Sequence, residues 1–436
     1  MESAPQIPNS AEVVIIGGGI AGCSIALALA RAGRGVVLLD KGRLAGEQSS
    51  RAWGFVRQQD RHPAELPLMV AANRIWRELE GELGADVEWE AGGLLALAQN
   101  AEELAHYEER SILEAAHGVD SRMVNPAEIR ALLPGIQGQF LGGLHTPSDG
   151  HAHPEKATLA IAAAARQAGA RLLDHQTVVG IEHAGGRVRG VQTAAGLISA
   201  EVAVCAAGAH SSRLLRALGL HLPVRSVRST VACTTPAAPL TRMAVRGLGV
   251  SFRQDRAGRF WLGRVSAGSA DYDLTLESFR HLRWFLPNYL KNRDLVRLRV
   301  GRPLLRDLWQ ALPFVSRGDP FAHTVDAEPP VNWKTARGNV TTFQAHFPAL
   351  EDLGISQAWA GIIDTLPDIL PVIGPAPGVE GLFVATGFSG HGFAMGPIVG
   401  RLLAQVITGK TPSLDLHPFR FSRFAEGDLG EARPLR

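Results

Sequence analysis

Six residues near the start, Gly17-Gly-Gly-Ile-Ala-Gly22, limit what this 436-residue chain can fold into more than any other stretch. Val13 to Ile16, just ahead, is short, apolar and β-branched, as a buried strand is. Ile20 to Ala32 reads as a helix ending near Gly33, and Gly35 to Asp40 (GVVLLD) as a second buried strand. Together they make a βαβ unit opening a parallel sheet. Gly17-x-Gly19-x-x-Gly22 thus stands between strand and helix, where glycine lets the backbone approach a pyrophosphate on the helix N-terminus. Ile20 and Ala21 begin that helix and are candidate contacts. Asp40 ends the second strand, where a carboxylate accepts from ribose hydroxyls and repels a 2′-phosphate, which argues against NADP. Lys41, next to it, joins the candidate binding residues.

Bulk properties narrow the partners. A formal net charge of +2 gives no strong pull toward nucleic acid or anionic membrane. The three cysteines, Cys23, Cys205 and Cys233, have no metal-ligand or C-x-x-C spacing, so neither a disulfide framework nor a metal site is expected and a reducing cytoplasmic setting fits. The N-terminus MESAPQIPNS lacks a signal peptide's basic start and apolar core. Val13 to Ala30 is long and apolar, but three glycines interrupt it and Arg31 follows, so strand plus helix explains it better than a membrane span.

Farther along, Leu68 to Leu83 carries apolar residues at helical spacing, and Ala157 to Ala168 is an alanine-rich helix. Arg171 to Leu173, Thr177 to Glu182, Val188 to Thr193 and Val202 to Ala206 read as strands, with Gly185-Gly186 suggesting a meander. Val224 to Thr342 looks like a separate, mostly antiparallel layer. Leu382 to Ala385 is one more strand, followed by a glycine turn and a helix from about Ala394 to Ile407. The tail after Thr411 reads as a surface wrap or disorder.

Two distant strands end in glycine as the first does: Val202 to Gly208, through Ala207, and Gly381 to Gly387. Three such ends across the chain suit FAD lying over a sheet assembled from separate segments better than NAD. A helix starting near Gly392 would aim its N-terminus at the pyrimidine end of a flavin, where negative charge develops on reduction.

The chain resembles the D-amino acid oxidase superfamily, in the branch of glycine oxidase, sarcosine oxidase and related amine dehydrogenases. The matching pieces are GGGIAG with LLD, QSSRAWGFVRQQ (Gln48 to Gln59), SDGHAHP (Ser148 to Pro154), VAVCAAGAHSS, WAGIIDTLPDILPVIG (Trp359 to Gly374) and GFSGHGFAMGP (Gly387 to Pro397). The resemblance implies an α/β fold: a Rossmann-like domain for non-covalent FAD, interleaved with an α+β substrate domain whose antiparallel sheet caps the flavin. The boundaries expected are 10–90, 141–223 and 351–412 for the FAD domain, 91–140 and 224–350 for the substrate domain, and 413–436 for a tail. By the same resemblance, Ser49, Ser50 and Arg51 pass beside the flavin, Arg57 is a recurrent arginine, Val178 meets the adenine, and Gly390, His391, Gly392, Phe393 and Met395 form the loop at the pyrimidine edge.

One position departs. Glycine oxidase-like members continue the tryptophan-glycine motif into an arginine that clamps the substrate carboxylate; here Ile363 stands there, followed by Asp364. The I-I-D-x-x-P-D form resembles the beta subunit of heterotetrameric sarcosine oxidase, in which a histidine near the HAHP position carries covalent FMN. His153 could align with it, or simply be tolerated before Pro154.

The expected reaction is oxidation of a C–N bond in an N-substituted or D-configured amino acid, followed by imine hydrolysis, with O2 or another carrier taking the electrons. His391, Arg57 and Arg253 are the catalytic candidates, with Arg253 a possible replacement for the missing clamp or a plain strand arginine. Trp261 and Trp359 could wall a pocket or fill a core. Asp364 and Asp368 could stabilise a turn or face a cationic amine. Oxidases of the sarcosine type use a lysine above the flavin for oxygen; Lys334 lies in the right half of the chain for it but has no motif to align it, and without such a lysine another acceptor is expected. No general base is identifiable. A 2-hydroxy acid dehydrogenase on the same scaffold and a flavin-bearing subunit of a hetero-oligomer are the alternatives; a homo-oligomer is also open.

Overall fold

In the computed structural model, residues 7–264, 270–294, 296–310, 325 and 328–429 are described. The fold is mixed α/β with one largely parallel and one largely antiparallel sheet.

The first sheet has six strands in the order Val372–Pro375, Leu382–Thr386, Val202–Cys205, Val13–Ile16, Val36–Leu39, Arg171–Leu173. All neighbours are parallel except the Val372–Pro375 edge, which is antiparallel. Side chains alternate across a strand, so an apolar run buried on both faces needs two cores. Val13, Ile15, Val36 and Leu38 face a core with the helices Ile20–Arg31, Leu66–Leu83, Pro154–Gln167 and Gly392–Ile407. Val14, Ile16, Val37 and Leu39 face another, shared with a three-stranded meander of Val178–Ala184, Arg187–Thr193 and Gly196–Ser199. The expected meander is thus present, with one strand more than anticipated.

The second sheet has ten strands. Along its main path run Val296–Arg299, Ala270–Asp273, Arg225–Pro236, Arg259–Gly263, Ser251–Gln254, Ala244–Arg246, Leu94–Ala98, Gly142–Thr146 and Arg122–Val124, and Ile355–Thr365 pairs alongside Arg225–Pro236. Two pairs are parallel, Ala244–Arg246 with Leu94–Ala98 and Ala270–Asp273 with Val296–Arg299. The layer expected over Val224 to Thr342 is therefore not separate. It takes strands from both sides, and its own segment also contributes helices, among them Trp333–His346, whose Phe343 packs on Phe252 and Phe260. The boundaries expected at 141 and 351 need correcting for the same reason. Gly142–Thr146 pairs with Leu94–Ala98 along its whole length, and Ile355–Thr365 with Arg225–Pro236 over ten residue pairs. Those boundaries followed motifs near the flavin, whereas hydrogen bonding assigns strands to sheets.

The tail packs as a wrap through 429. Phe419, Phe421 and Phe424 are buried, and Arg423 makes a two-pronged pair with Asp368, Nε to Oδ2 at 2.7 Å and Nη2 to Oδ1 at 3.2 Å. Asp368 is thereby a structural anchor and does not face a substrate amine. No helix among the described residues is long and apolar enough to cross a membrane. Cys23, Cys205 and Cys233 are buried and unpaired.

Candidate active site

The carboxyl ends of the central parallel strands open into a cavity of about 920 Å³ that runs from Asp40 past the glycine turn to Phe393 and on beneath the second sheet. Its floor depends on absent side chains. A Cβ on Gly17, whose φ is +116°, would lie 2.3 Å from the Ala206 carbonyl oxygen, and one on Gly22 would lie 1.9 Å from the Gly17 oxygen. The Ser49 hydroxyl accepts from the Ile20 N–H at 2.9 Å and fixes the helix entrance. Asp40 accepts from the Gly18 and Gly42 N–H groups at 2.6 and 2.9 Å, and burial pushes its pKa up to about 6 despite those donors. Lys41 is drawn into an ion pair with Glu47, which also lies 3.5 Å from His210.

Gly17, Gly19, Ile20, Ala21, Asp40, Lys41, Ser49, Arg51, Val178, Ala207, Gly208, Gly390, Gly392 and Phe393 line this cavity, as do Arg57 and His391. Gly22, Ser50, Gly387 and Met395 do not. Gly22 allows the turn to close, and Ser50 turns its hydroxyl to the Glu47 carbonyl at 3.1 Å. Gly387 donates to Asp364 at 2.9 Å, and Met395 is buried in the core. Asp364 anchors the loop, its carboxylate taking the Gly387 N–H and its carbonyl the Ser389 N–H at 2.9 Å, and it lines the cavity together with Ile363.

Five residues that the sequence offered for the site lie off the cavity lining. Arg253 is buried under the cavity wall rather than on it; its Nε donates to the Trp53 carbonyl at 2.6 Å and its guanidinium stacks 4.0 Å over Trp261. Trp261 and Trp359 meet edge-to-face at 4.8 Å, outside the lining, with Trp359 Nε1 supporting the Arg51 carbonyl at 3.1 Å. His153 caps the helix Pro154–Gln167, accepting from Lys156 N at 3.4 Å, and also lies outside the lining. Lys334 is exposed on the helix Trp333–His346 and does not reach the cavity.

Sequence reasoning named Arg57 and His391 but missed the charged cluster they belong to. Arg57 donates through Nη1 to the carbonyls of Gln59 and Asp60 at 2.6 and 3.4 Å. Arg61 donates to the Arg57 carbonyl at 3.2 Å, and Arg246 pairs with Asp60 at 3.0 Å. All three arginines line the cavity, and burial followed by their mutual repulsion holds Arg57 well below the usual arginine range. Burial opposes ionisation of Asp60, but Arg246, His106 and Arg57 outweigh it and keep Asp60 a carboxylate. His391 Nδ1 lies 3.0 Å from Oε1 of Glu65, which is fully buried. Arg61 and Glu65 follow QSSRAWGFVRQQ within six residues, so proximity to that segment was the available signal; Arg246 had none.

Residues 12 to 406 match one family, described as FAD dependent oxidoreductase. The chain belongs to that family. Human mitochondrial sarcosine dehydrogenase is 28% identical over 441 residues, covering 99% of this chain but 43% of that protein, so the chain spans less than half the length of this relative. Glycine oxidase from Geobacillus kaustophilus is 25% identical over 421 residues, covering 94% of this chain and 97% of that one. Among solved structures, L-amino acid deaminase from Proteus myxofaciens in complex with anthranilate superposes with a TM-score of 0.91 at 26% identity, covering 97% and 96% of the two chains. FAD is the family's cofactor, and the cavity suits it. The glycine floor leaves no Cβ where a pyrophosphate would lie, and the buried Gln48 Nε2 on the wall has no hydrogen-bond partner among the described residues.

Proposed function

We propose that this flavoprotein oxidises the C–N bond of an amino acid, an N-substituted or D-configured one, to an imine that water then hydrolyses. The chemistry supplied by bound FAD is acceptance, at N5, of a hydride from the carbon bonded to the amine nitrogen. The observation that carries the reading is the arginine cluster Arg57, Arg61 and Arg246 lining the same cavity as the glycine turn and His391. A buried guanidinium is stabilised by an anion, and a substrate carboxylate supplies one. The cluster lies on the loop after Phe55–Val56 and at the end of Ala244–Arg246, so it replaces the arginine that Ile363 displaces without standing in its place. Holding the carboxylate there orients the reacting carbon, which is worth more than affinity alone.

The glycine residues 17 and 19, with Ile20, Ala21, Asp40, Ser49 and Val178, are assigned to the FAD, and Gly390, Gly392 and Phe393 to its ring. The N-methylated glycines named in sarcosine and dimethylglycine dehydrogenases make an N-substituted amino acid the first choice. Lys334 lies outside the cavity, but Lys41 and Lys291 line it, so the electron acceptor stays O2 or another carrier. Turnover with an artificial acceptor tests the reading on matched compounds: an amino acid, its ester and its 2-hydroxy analogue. The acid is expected to be used at least about 10²-fold better than the ester, given the cost of leaving buried charge unpaired. Preference for the hydroxy acid would mean a 2-hydroxy acid dehydrogenase instead.

A further inference from the structure

The neutral amine is the form that gives up hydride, so a substrate arriving as an ammonium ion must first lose a proton. Two helices converge on a pair suited to take it. Glu65 is the residue before the helix Leu66–Leu83, and His391 is the residue before the helix Gly392–Ile407, 326 positions away. The helices are fastened together by Trp76, whose Nε1 donates to the Ala394 carbonyl at 2.9 Å while its ring packs 4.7 Å from Phe393. That fastening fixes the 3.0 Å approach of His391 Nδ1 to Glu65 Oε1. A carboxylate can only accept, so Nδ1 carries the proton and Nε2 presents a lone pair. Nε2 has no hydrogen-bond partner among the described residues, and His391 lines the cavity.

We propose that Glu65 and His391 form a proton-accepting pair, in which buried Glu65 holds the ring and His391 Nε2 takes the proton from the substrate's ammonium group. This rests on the amine-oxidising reading above. One N–H bond of the ammonium breaks, its electron pair stays on nitrogen, and an Nε2–H bond forms; nothing is oxidised or reduced in this step. Glu65 keeps its charge and stabilises the imidazolium, as a positioning residue. Arg57, Arg61 and His62 are the other charged or titratable groups facing the pair. Burial, then Arg61, pushes His391 down to about 4, with Glu65 opposing. A carboxylate docking on Arg57 and Arg61 offsets their repulsion, so the ring gains proton affinity as the substrate arrives.

Two measurements on the holoenzyme test this. The first is the pH dependence of anaerobic flavin bleaching in the parent, Glu65→Gln, Glu65→Asp and His391→Gln. Glu65→Gln and His391→Gln are expected to be roughly 10²-fold slower near neutral pH, with a deficit that shrinks as pH rises past the amine's own pKa, and Glu65→Asp to recover part of the rate. A deficit of the same factor at every pH would mean a merely structural role and overturn the proposal. The second uses methoxyacetate, a carboxylate without an amine, in calorimetry across buffers of different ionisation enthalpy. Binding is expected to take up protons near about pH 6 in the parent and not in His391→Gln. Binding without proton uptake in the parent overturns the pair even where the substrate is unknown. Failure of every amine to bleach the parent, with proton uptake intact, counts against the amine reading and leaves the pair standing.

Discussion

Arg57 has no carboxylate within ion-pair distance among the described residues, although its guanidinium is held by two backbone carbonyls beside Arg61 and Arg246. Replacing it with glutamine removes a cation of the cluster that no carboxylate among the described residues contacts. The expected loss is about 2–4 kcal/mol of substrate binding, read mainly as a higher KM, with FAD content unchanged. His391 gives a pH prediction of its own. Its proton affinity is depressed in the folded state, so the unfolded chain binds more protons between about pH 4 and the ordinary histidine value. Stability conferred by the neutral ring is therefore present above that window and lost as pH falls through it. His391→Gln should flatten this part of the pH–stability curve by about 1–3 kcal/mol, seen in denaturant melts. Single residues were the least legible part of the sequence. The glycine turn could be read because its spacing is local. Arg253 was misjudged because its strand position says nothing about which side of the sheet faces the cavity, and Arg246 was missed because the site it joins is assembled by long-range strand pairing.

The elements show how tightly the turn is specified. Gly17→Ala would put a methyl against the Ala206 carbonyl at a backbone angle that L residues avoid. The strand cannot yield, since it is paired on both sides, Ile16 with Cys205 and Leu39. Purified Gly17→Ala is expected to carry little flavin, measured by the visible-to-protein absorbance ratio. The tail is the second element with a clear consequence. Arg423→Met leaves Asp368 buried without its partner, and a broken buried pair costs about 3–5 kcal/mol. Thermal melts should fall accordingly while the flavin spectrum of the folded fraction is unchanged. The parallel strands and their helices were legible because β-branched runs and apolar stripes repeat with the right period. Val372–Pro375 and Ile355–Thr365 were not, because they lie in a motif dense in proline, glycine and aspartate that reads locally as turn.

At the scale of the whole molecule, two sheets enclose one cavity: the parallel sheet offers its strand ends and the antiparallel sheet closes over them. The fold class followed from the order of motifs along the chain. The way the antiparallel sheet gathers strands from 94 to 365 did not, because pairing between distant segments leaves no local trace. Lys334 is exposed and outside the cavity, whereas Lys41 and Lys291 line it. Stopped-flow traces of the reduced enzyme decide the acceptor: fast reoxidation by O2 makes it an oxidase, and slow reoxidation in air with fast transfer to a dye or quinone makes it a dehydrogenase. The central claim, that an amino acid's amine reduces the bound flavin, is tested most directly by anaerobic spectrophotometry of the holoenzyme against N-methylated glycines, D-amino acids, proline analogues and 2-hydroxy acids. Bleaching of the flavin band by at least one amine in the panel, with the hydroxy acids inert, is the expected result. Bleaching by hydroxy acids alone, or by no compound although FAD is bound, would contradict it.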